Sequence, residues 1–135
     1  MSLQIRLARD GVDSAQVEAL VRTGRIRIHG VSFEKLYPFW IVVEEDEEIV
    51  GCVQAVPALP FGYTEFLTTA PGLSHTKRAK LIKGLMLQAA AILKTGGSEI
   101  ALGTVPTDMK AWKKVIKKRG GVNIGLCNVY AKRLT

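Results

Sequence analysis

Two β-rich runs, Phe39-Trp40-Ile41-Val42-Val43 and Ile49-Val50-Gly51-Cys52-Val53, flank five consecutive acidic residues, Glu44 to Glu48. Aromatic and β-branched runs separated by so short a charged stretch pair with each other, so this segment reads as a hairpin with an acidic, solvated tip. Pro57-Ala58-Leu59-Pro60 ends the second run, Tyr63 to Thr69 reads as a third strand, and Pro71-Gly72 stops it.

The rest of the chain is organised around that meander. Leu3, Ile5 and Leu7 alternate with Gln4, Arg6 and Ala8, the period of a half-buried strand. Asp13 or Ser14 caps a helix running to about Thr23, with Val17, Leu20 and Val21 as its apolar stripe. Arg25 to Leu36 reads as a loop, a short helix or both. The longest helix spans about Thr76 to Lys94, capped by Ser74 or Thr76 and ended by Gly96-Gly97. Its apolar residues (Ala79, Leu81, Ile82, Leu85, Met86, Ala89, Ala90, Leu93) cover most of its circumference, which predicts a helix with little surface to water. Ile100 to Val105 is a strand, Thr107 to Lys118 a helix after Pro106, and Val122 to Leu134 a closing strand or tight hairpin. Strands that meander and then alternate with helices predict a mixed central sheet with helices on both faces, an α/β (α+β) fold, in one domain over residues 1–135.

Composition narrows the class. The chain is 47% hydrophobic, enough for one continuous core, and its formal charge of +7 attracts anions such as nucleic acid, acidic proteins or a phosphate-rich cofactor. Cys52 and Cys127 sit in apolar runs away from any metal-binding spacing, and read as reduced core thiols of a cytoplasmic protein; the sequence leaves a disulfide open and implies no metal. The stretch from Gly84 to Leu93 is too short to span a bilayer and the N-terminus has no signal-peptide pattern, so no membrane partner is expected.

This order of elements, over nearly the whole chain, resembles the GNAT acyl-CoA N-acyltransferase family. The acidic turn before Ile49-Val50-Gly51 is similar to the family's second and third strands. Glu65-Phe66-Leu67-Thr68-Thr69-Ala70-Pro71 resembles its fourth strand, where an acidic residue stands six before the proline opening the cofactor loop. Lys113 to Gly121 resembles its last helix, which ends in a lysine-rich turn and a glycine. The resemblance implies an acetyl-CoA site, with the backbone of Leu67 and Thr69 along the pantetheine arm. It also implies that Ser74, His75, Thr76, Lys77, Arg78, Ala79 and Lys80 lie at the pyrophosphate. Glu65 is the expected general base, accepting the proton of an attacking amine. Thr107 and Asp108 fall where the family has a polar residue orienting substrate or cofactor, and a helix cap explains them equally.

Two departures stand against that picture. The family's cofactor loop carries glycines whose backbone closes around phosphate, yet no glycine falls between Gly72 and Gly84. A side chain forced into left-handed geometry there costs roughly 1–2 kcal/mol. Lys77, Arg78 and Lys80 offer compensating charge. The family's tyrosine acid, four residues before the glycine ending the last helix, is replaced by Ile116, and Tyr130 reads as a packing residue.

Three functions follow: an N-acetyltransferase acting on a small-molecule or protein amine; a catalytically inactive phage-type descendant with a role in assembly, virion-associated rather than cytoplasmic; and a basic nucleic-acid-binding module. For the third, Lys110, Lys113, Lys114, Lys117, Lys118 and Arg119 form a ridge beside Trp112, for which a solvated lysine face is the favoured reading. His29 and His75 are isolated, and His75, at a helix start, reads as a capping or surface residue where it does not contact an anion. Phe33, Tyr37, Trp40 and Phe61 line an acceptor pocket, a homodimer face or the core, with the core favoured.

Overall fold

A computed structural model describes residues 3–23, 32–36, 38–104 and 110–125. Its elements are β1 (Leu3–Leu7), α1 (Ser14–Arg22), a 3-10 turn (Phe33–Lys35), β2 (Trp40–Glu45), β3 (Glu48–Val56), β4 (Phe61–Thr69), α2 (His75–Thr95), β5 (Ile100–Gly103) and α3 (Lys110–Lys118). The five strands lie in sequence order in one sheet; β1 to β4 are antiparallel neighbours and β4–β5 is parallel. The sheet is therefore mixed, as the element order implies.

The central strands β2 and β3 are buried on both faces where apolar residues follow one another, Trp40 to Val43 and Gly51 to Val53. In β2, Trp40 and Val42 join Val17, Leu20, Val21, Phe33 and Cys52 in a core beneath α1. Ile41 and Val43 join Val53, Ala55, Leu81, Leu85, Ala89 and Leu93 in a second core beneath α2. Helices thus cover opposite faces. Cys52 is a free thiol inside the first core, and burial pushes its pKa up to about 12, so it is an inert packing residue.

Several local expectations are corrected. The hairpin tip is not five residues long: Glu44 and Glu45 extend β2, Glu48 begins β3, and only Asp46 and Glu47 turn. Both have positive φ, 50° and 67°, the geometry that matches a two-residue turn to the twist of its strands. Glu44 and Glu45 are not solvated either, since they pair with Arg6 and Lys77. α2 is one-sided: Leu81, Ile82, Leu85, Ala89 and Leu93 are buried, whereas Leu87, Ala90 and Ala91 face solvent. Phe33 and Trp40 are core residues, stacked with ring centroids 5.3 Å apart, but Phe61 is exposed.

Asp13 precedes α1 as expected but makes no side-chain cap. Its carboxylate is buried and accepts from Arg6 Nη1 at 2.6 Å, Arg6 Nη2 at 3.1 Å and the Arg9 backbone N–H at 2.6 Å. Arg6 also donates to Glu44 at 3.0 Å. This bridge ties the start of α1 to β1 and β2. The Arg6 guanidinium holds the Asp13 carboxyl far below the usual carboxylate range, against the opposing effect of burial. The closing strand from 122 is not formed through Gly125, and Cys127, Tyr130 and the remainder of that segment lie outside the described residues, as do His29 and Tyr37.

Candidate functional site

β4 has two different edges. Against β3 it is paired along most of its length, from Val56↔Tyr63 to Gly51↔Thr69. Against β5 pairing runs only from Phe61↔Ile100 to Thr64↔Gly103. At that last pair a Cβ on Gly103 would lie 2.7 Å from Thr64 Oγ1, so a larger residue there would displace the threonine side chain. From Glu65 to Thr69 the outer edge of β4 has no strand partner among the described residues. Backbone groups at an edge of this kind can pair with an extended polar chain in the manner of an added strand.

A bulge sits where the described β4–β5 pairing ends. β3 advances two residues from Cys52 to Gln54 while β4 spans three, from Thr68 back to Glu65. The extra residue is accommodated at Phe66, whose φ is 55°. Alternation is broken as a result. Glu65 lies directly across from Gln54, on the α1 face, and the next residue, Phe66, packs on that same face against Trp40 at a centroid distance of 5.9 Å. Leu67 then packs on the α2 face. A left-handed phenylalanine costs roughly 1–2 kcal/mol, offset by its aromatic packing. The bulge turns a carboxylate and an aromatic ring together toward one side of the sheet, beside the unpaired edge.

Glu65 is part-buried, and no described residue hydrogen-bonds or ion-pairs with its carboxylate. Burial raises its pKa above the ordinary 4.5. Such a carboxylate is a better base than a solvated one and is not neutralised by a structural cation. Gln54, across from it, is 4% exposed.

The unpaired edge leads directly into α2. Ser74 is the N-cap: its Oγ accepts from the Lys77 N–H at 3.2 Å and its carbonyl from the Arg78 N–H at 2.9 Å. The N–H groups of His75 and Thr76 lie in the first turn, ahead of the intrahelical ladder, where a helix favours anions. No residue from Leu73 to Gly96 has positive φ, so the missing glycines impose no left-handed strain. The segment is a cap and first helical turns rather than a wrapped loop. His75, Thr76 and Lys80 are exposed; Arg78 and Ala79 are part-buried. Lys77 Nζ donates to Glu45 Oε1 at 2.6 Å, so its charge is paired within the fold.

The other expected residues are less informative. Thr69 ends β4 across from Gly51. Thr107 and Asp108 lie outside the described residues. Ile116 is part-buried, its carbonyl accepts from the N–H groups of Arg119 and Gly121, and it supplies no proton donor. A shallow groove of about 370 Å³ lies between Phe39, Pro57 and the last turns of α2. That is the opposite end of α2, roughly 30 Å from Ser74 at 1.5 Å per residue, and no part of this site. Among the described residues no group of three metal-ligating side chains occurs, and no helix is long and apolar enough to cross a membrane.

What sequence reasoning missed is the bulge at Phe66 and the Glu45–Lys77 pair. Neither has a local signal: a bulge is a mismatch between two strands, and the pair joins residues 32 positions apart.

No protein-family model and no curated protein sequence matches the chain. Solved structures do. The structure of AAC(6')-Iy in complex with a bisubstrate analogue, CoA-S-monomethyl-acetylneamine, has a TM-score of 0.74 at 14% identity, covering 99% of this chain and 100% of that one. An aminoglycoside acetyltransferase from an uncultured soil metagenomic sample, in complex with trehalose, has a TM-score of 0.73 at 12% identity, covering 98% of this chain and 97% of that one. Glucosamine-6-phosphate N-acetyltransferase from Arabidopsis thaliana has a TM-score of 0.68 at 14% identity, covering 97% and 99%. At these identities the likeness is one of fold.

Proposed function

Because the chain has the fold of the GNAT acyl-CoA N-acyltransferases, we propose that it transfers an acetyl group from acetyl-CoA to the amine of a small molecule. The observation that carries this reading is the outer edge of β4 from Glu65 to Thr69, which has no strand partner among the described residues, with Glu65 turned beside it by the bulge.

The residues present suit the cofactor's chemistry in part. The unpaired backbone from Glu65 to Thr69, including Leu67, offers hydrogen-bonding groups to the amides of a pantetheine arm. The N–H groups of His75 and Thr76, with Arg78 and Lys80, offer positive charge to a pyrophosphate. When bound, the thioester supplies the acyl group: a C–N bond forms to the amine as the C–S bond breaks. Glu65 takes up the proton that the amine nitrogen loses, directly or through one water. With Ile116 in place of a tyrosine, the departing sulfur is left to be protonated by solvent. A general acid contributes about 10²–10⁴-fold, so its loss slows transfer without abolishing it.

A second reading is favoured by Lys77, whose charge is spent on Glu45, together with Ile116. In it the fold persists in a catalytically inactive descendant with a role in assembly. Calorimetric titration of the whole chain with acetyl-CoA, and then with plain CoA, separates the two. Micromolar binding of both, with acetylation of at least one member of a panel of small amines, supports the enzyme. Absence of heat with either ligand supports the inactive descendant.

A further inference from the structure

The net charge of +7 is carried by one end of the chain. Residues 109–135 hold eight Lys and Arg and no Asp or Glu, whereas the preceding 108 residues hold eleven against twelve and are within one charge of neutral. Six of the eight fall between Lys110 and Arg119, on or just after α3. Such asymmetry along a sequence marks a charged partner rather than general solubility.

The structure adds what the cations do. In the body of the fold several are paired, Arg6 and Arg9 with Asp13, Arg22 with Glu18 and Lys77 with Glu45, and the unpaired ones (Lys35, Arg78, Lys80, Lys83 and Lys94) are spread over residues 35–94 rather than gathered on one short helix. Lys110, Lys114, Lys117, Lys118 and Arg119 are all exposed, and no carboxylate among the described residues pairs with any of them. Val115 and Ile116 are part-buried, on a helix that packs against α2. The cations therefore stand together on the outer side, held by a packed helix, with their charges unspent.

We propose that α3 binds the phosphodiester backbone of a nucleic acid, without reading its sequence. From Lys110 to Lys118 the helix rises about 12 Å, along which duplex DNA carries about seven phosphates. A row of cations at one- and two-turn intervals suits such a linear polyanion. Insertion into an anionic membrane requires an exposed apolar face opposite the charges, and Val115 and Ile116 are part-buried on a helix packed against α2 instead. The inference is independent of acetyl transfer, since the ridge shares no residue with Glu65 or the first turn of α2.

The test is fluorescence anisotropy of a labelled 20-base-pair duplex titrated with the full chain between 50 and 200 mM KCl. With about five phosphates contacted, the expected slope of log K against log salt is about −4 to −5, a loss of about 500-fold across that range. The quadruple variant Lys110→Gln, Lys114→Gln, Lys117→Gln, Lys118→Gln alters only exposed positions. It should keep the wild-type circular dichroism melt and flatten the loss to about fourfold. The matching four Lys→Arg changes should restore the wild-type slope. A wild-type slope near zero overturns the proposal even if the glutamine variant does not fold, and so does unchanged binding by a folded one. Tighter binding to vesicles with 30% phosphatidylserine, or to polyglutamate, than to the duplex at equal salt reassigns the ridge and overturns the proposal. So does displacement of the duplex by saturating CoA.

Discussion

Lys77 Nζ donates to Glu45 Oε1 at 2.6 Å, joining the hairpin end of β2 to the first turn of α2. The lysine stands where a helix N-terminus attracts anions, yet its charge is directed to a carboxylate 32 residues earlier. The pair is partly exposed, 30% on the lysine and 14% on the glutamate, so it is worth about 0.5–1 kcal/mol. Glu45→Gln releases the ammonium. We expect a stability loss of that size by urea denaturation, and CoA affinity two- to fivefold tighter by calorimetry, because RT ln of that factor is about 0.5–1 kcal/mol. Unchanged or weaker CoA affinity would mean that Lys77 does not reach the phosphates even when freed.

Glu65→Gln removes the carboxylate that the bulge presents. If Glu65 is the base, acetyl transfer falls about 10²–10⁴-fold while CoA affinity holds. In the wild type, kcat rises with pH through the Glu65 pKa, which burial places above 4.5, because the protonated acid cannot accept a proton. Stability runs the other way. A carboxyl whose folded pKa is raised stabilises the fold below its unfolded pKa and loses that contribution as pH climbs through the folded value. At pH 7 the glutamine variant should be at least as stable as the wild type. A rate unaffected by the substitution removes Glu65 from the mechanism.

The meander, both long elements of the site and their order are legible because each rests on a local signal: β-rich runs, the 3.6-residue spacing of α2 and the serine ahead of it. The resemblance that locates Glu65 rests on its spacing to Pro71. The orientation of Glu65 is not legible, since alternation alone would put Phe66 on the face opposite Glu65. It takes the pairing of two whole strands to reveal the extra residue. β1 shows the same limit. Its alternating leucines and isoleucine suggest Arg6 faces water, but as an edge strand it leaves Ile5 and Leu7 exposed at 39% and 51% while Arg6 turns in to Asp13. The expectation of strain in Ser74–Ala79 fails for a related reason. The family's loop geometry was assumed for residues that simply continue a helix.

Asp13 gives the acid limb of stability. Its pKa is lowered in the fold, mainly by Arg6, so its contribution is complete above the unfolded value of about 4 and is lost as pH falls below it. Asp13→Asn strips the charge from a buried site and leaves Arg6 with only Glu44. Breaking a buried pair costs about 3 kcal/mol at pH 7. Urea midpoints measured from pH 7 to pH 2.5 should draw closer for the two proteins, as acid protonates Asp13 in the unfolded wild-type chain while Arg6 keeps it ionised in the fold. Parallel curves would show that the pair contributes nothing.

The hairpin tip offers the converse, a place where the fold holds strain that sequence change can remove. Asp46 and Glu47 are both left-handed, and glutamate in particular gains nothing locally from that geometry. Asn-Gly is the pair that two-residue turns of this kind prefer. Neither residue forms an ion pair among those described. Asp46→Asn with Glu47→Gly should therefore stabilise the protein by about 1 kcal/mol, or roughly 3–5 °C in Tm for a domain of this size, read by calorimetry. Because the added stability arises at the β2–β3 turn, which shares no residue with α3, duplex binding should not change with it. A fall in Tm would mean that the turn is held in another geometry in solution.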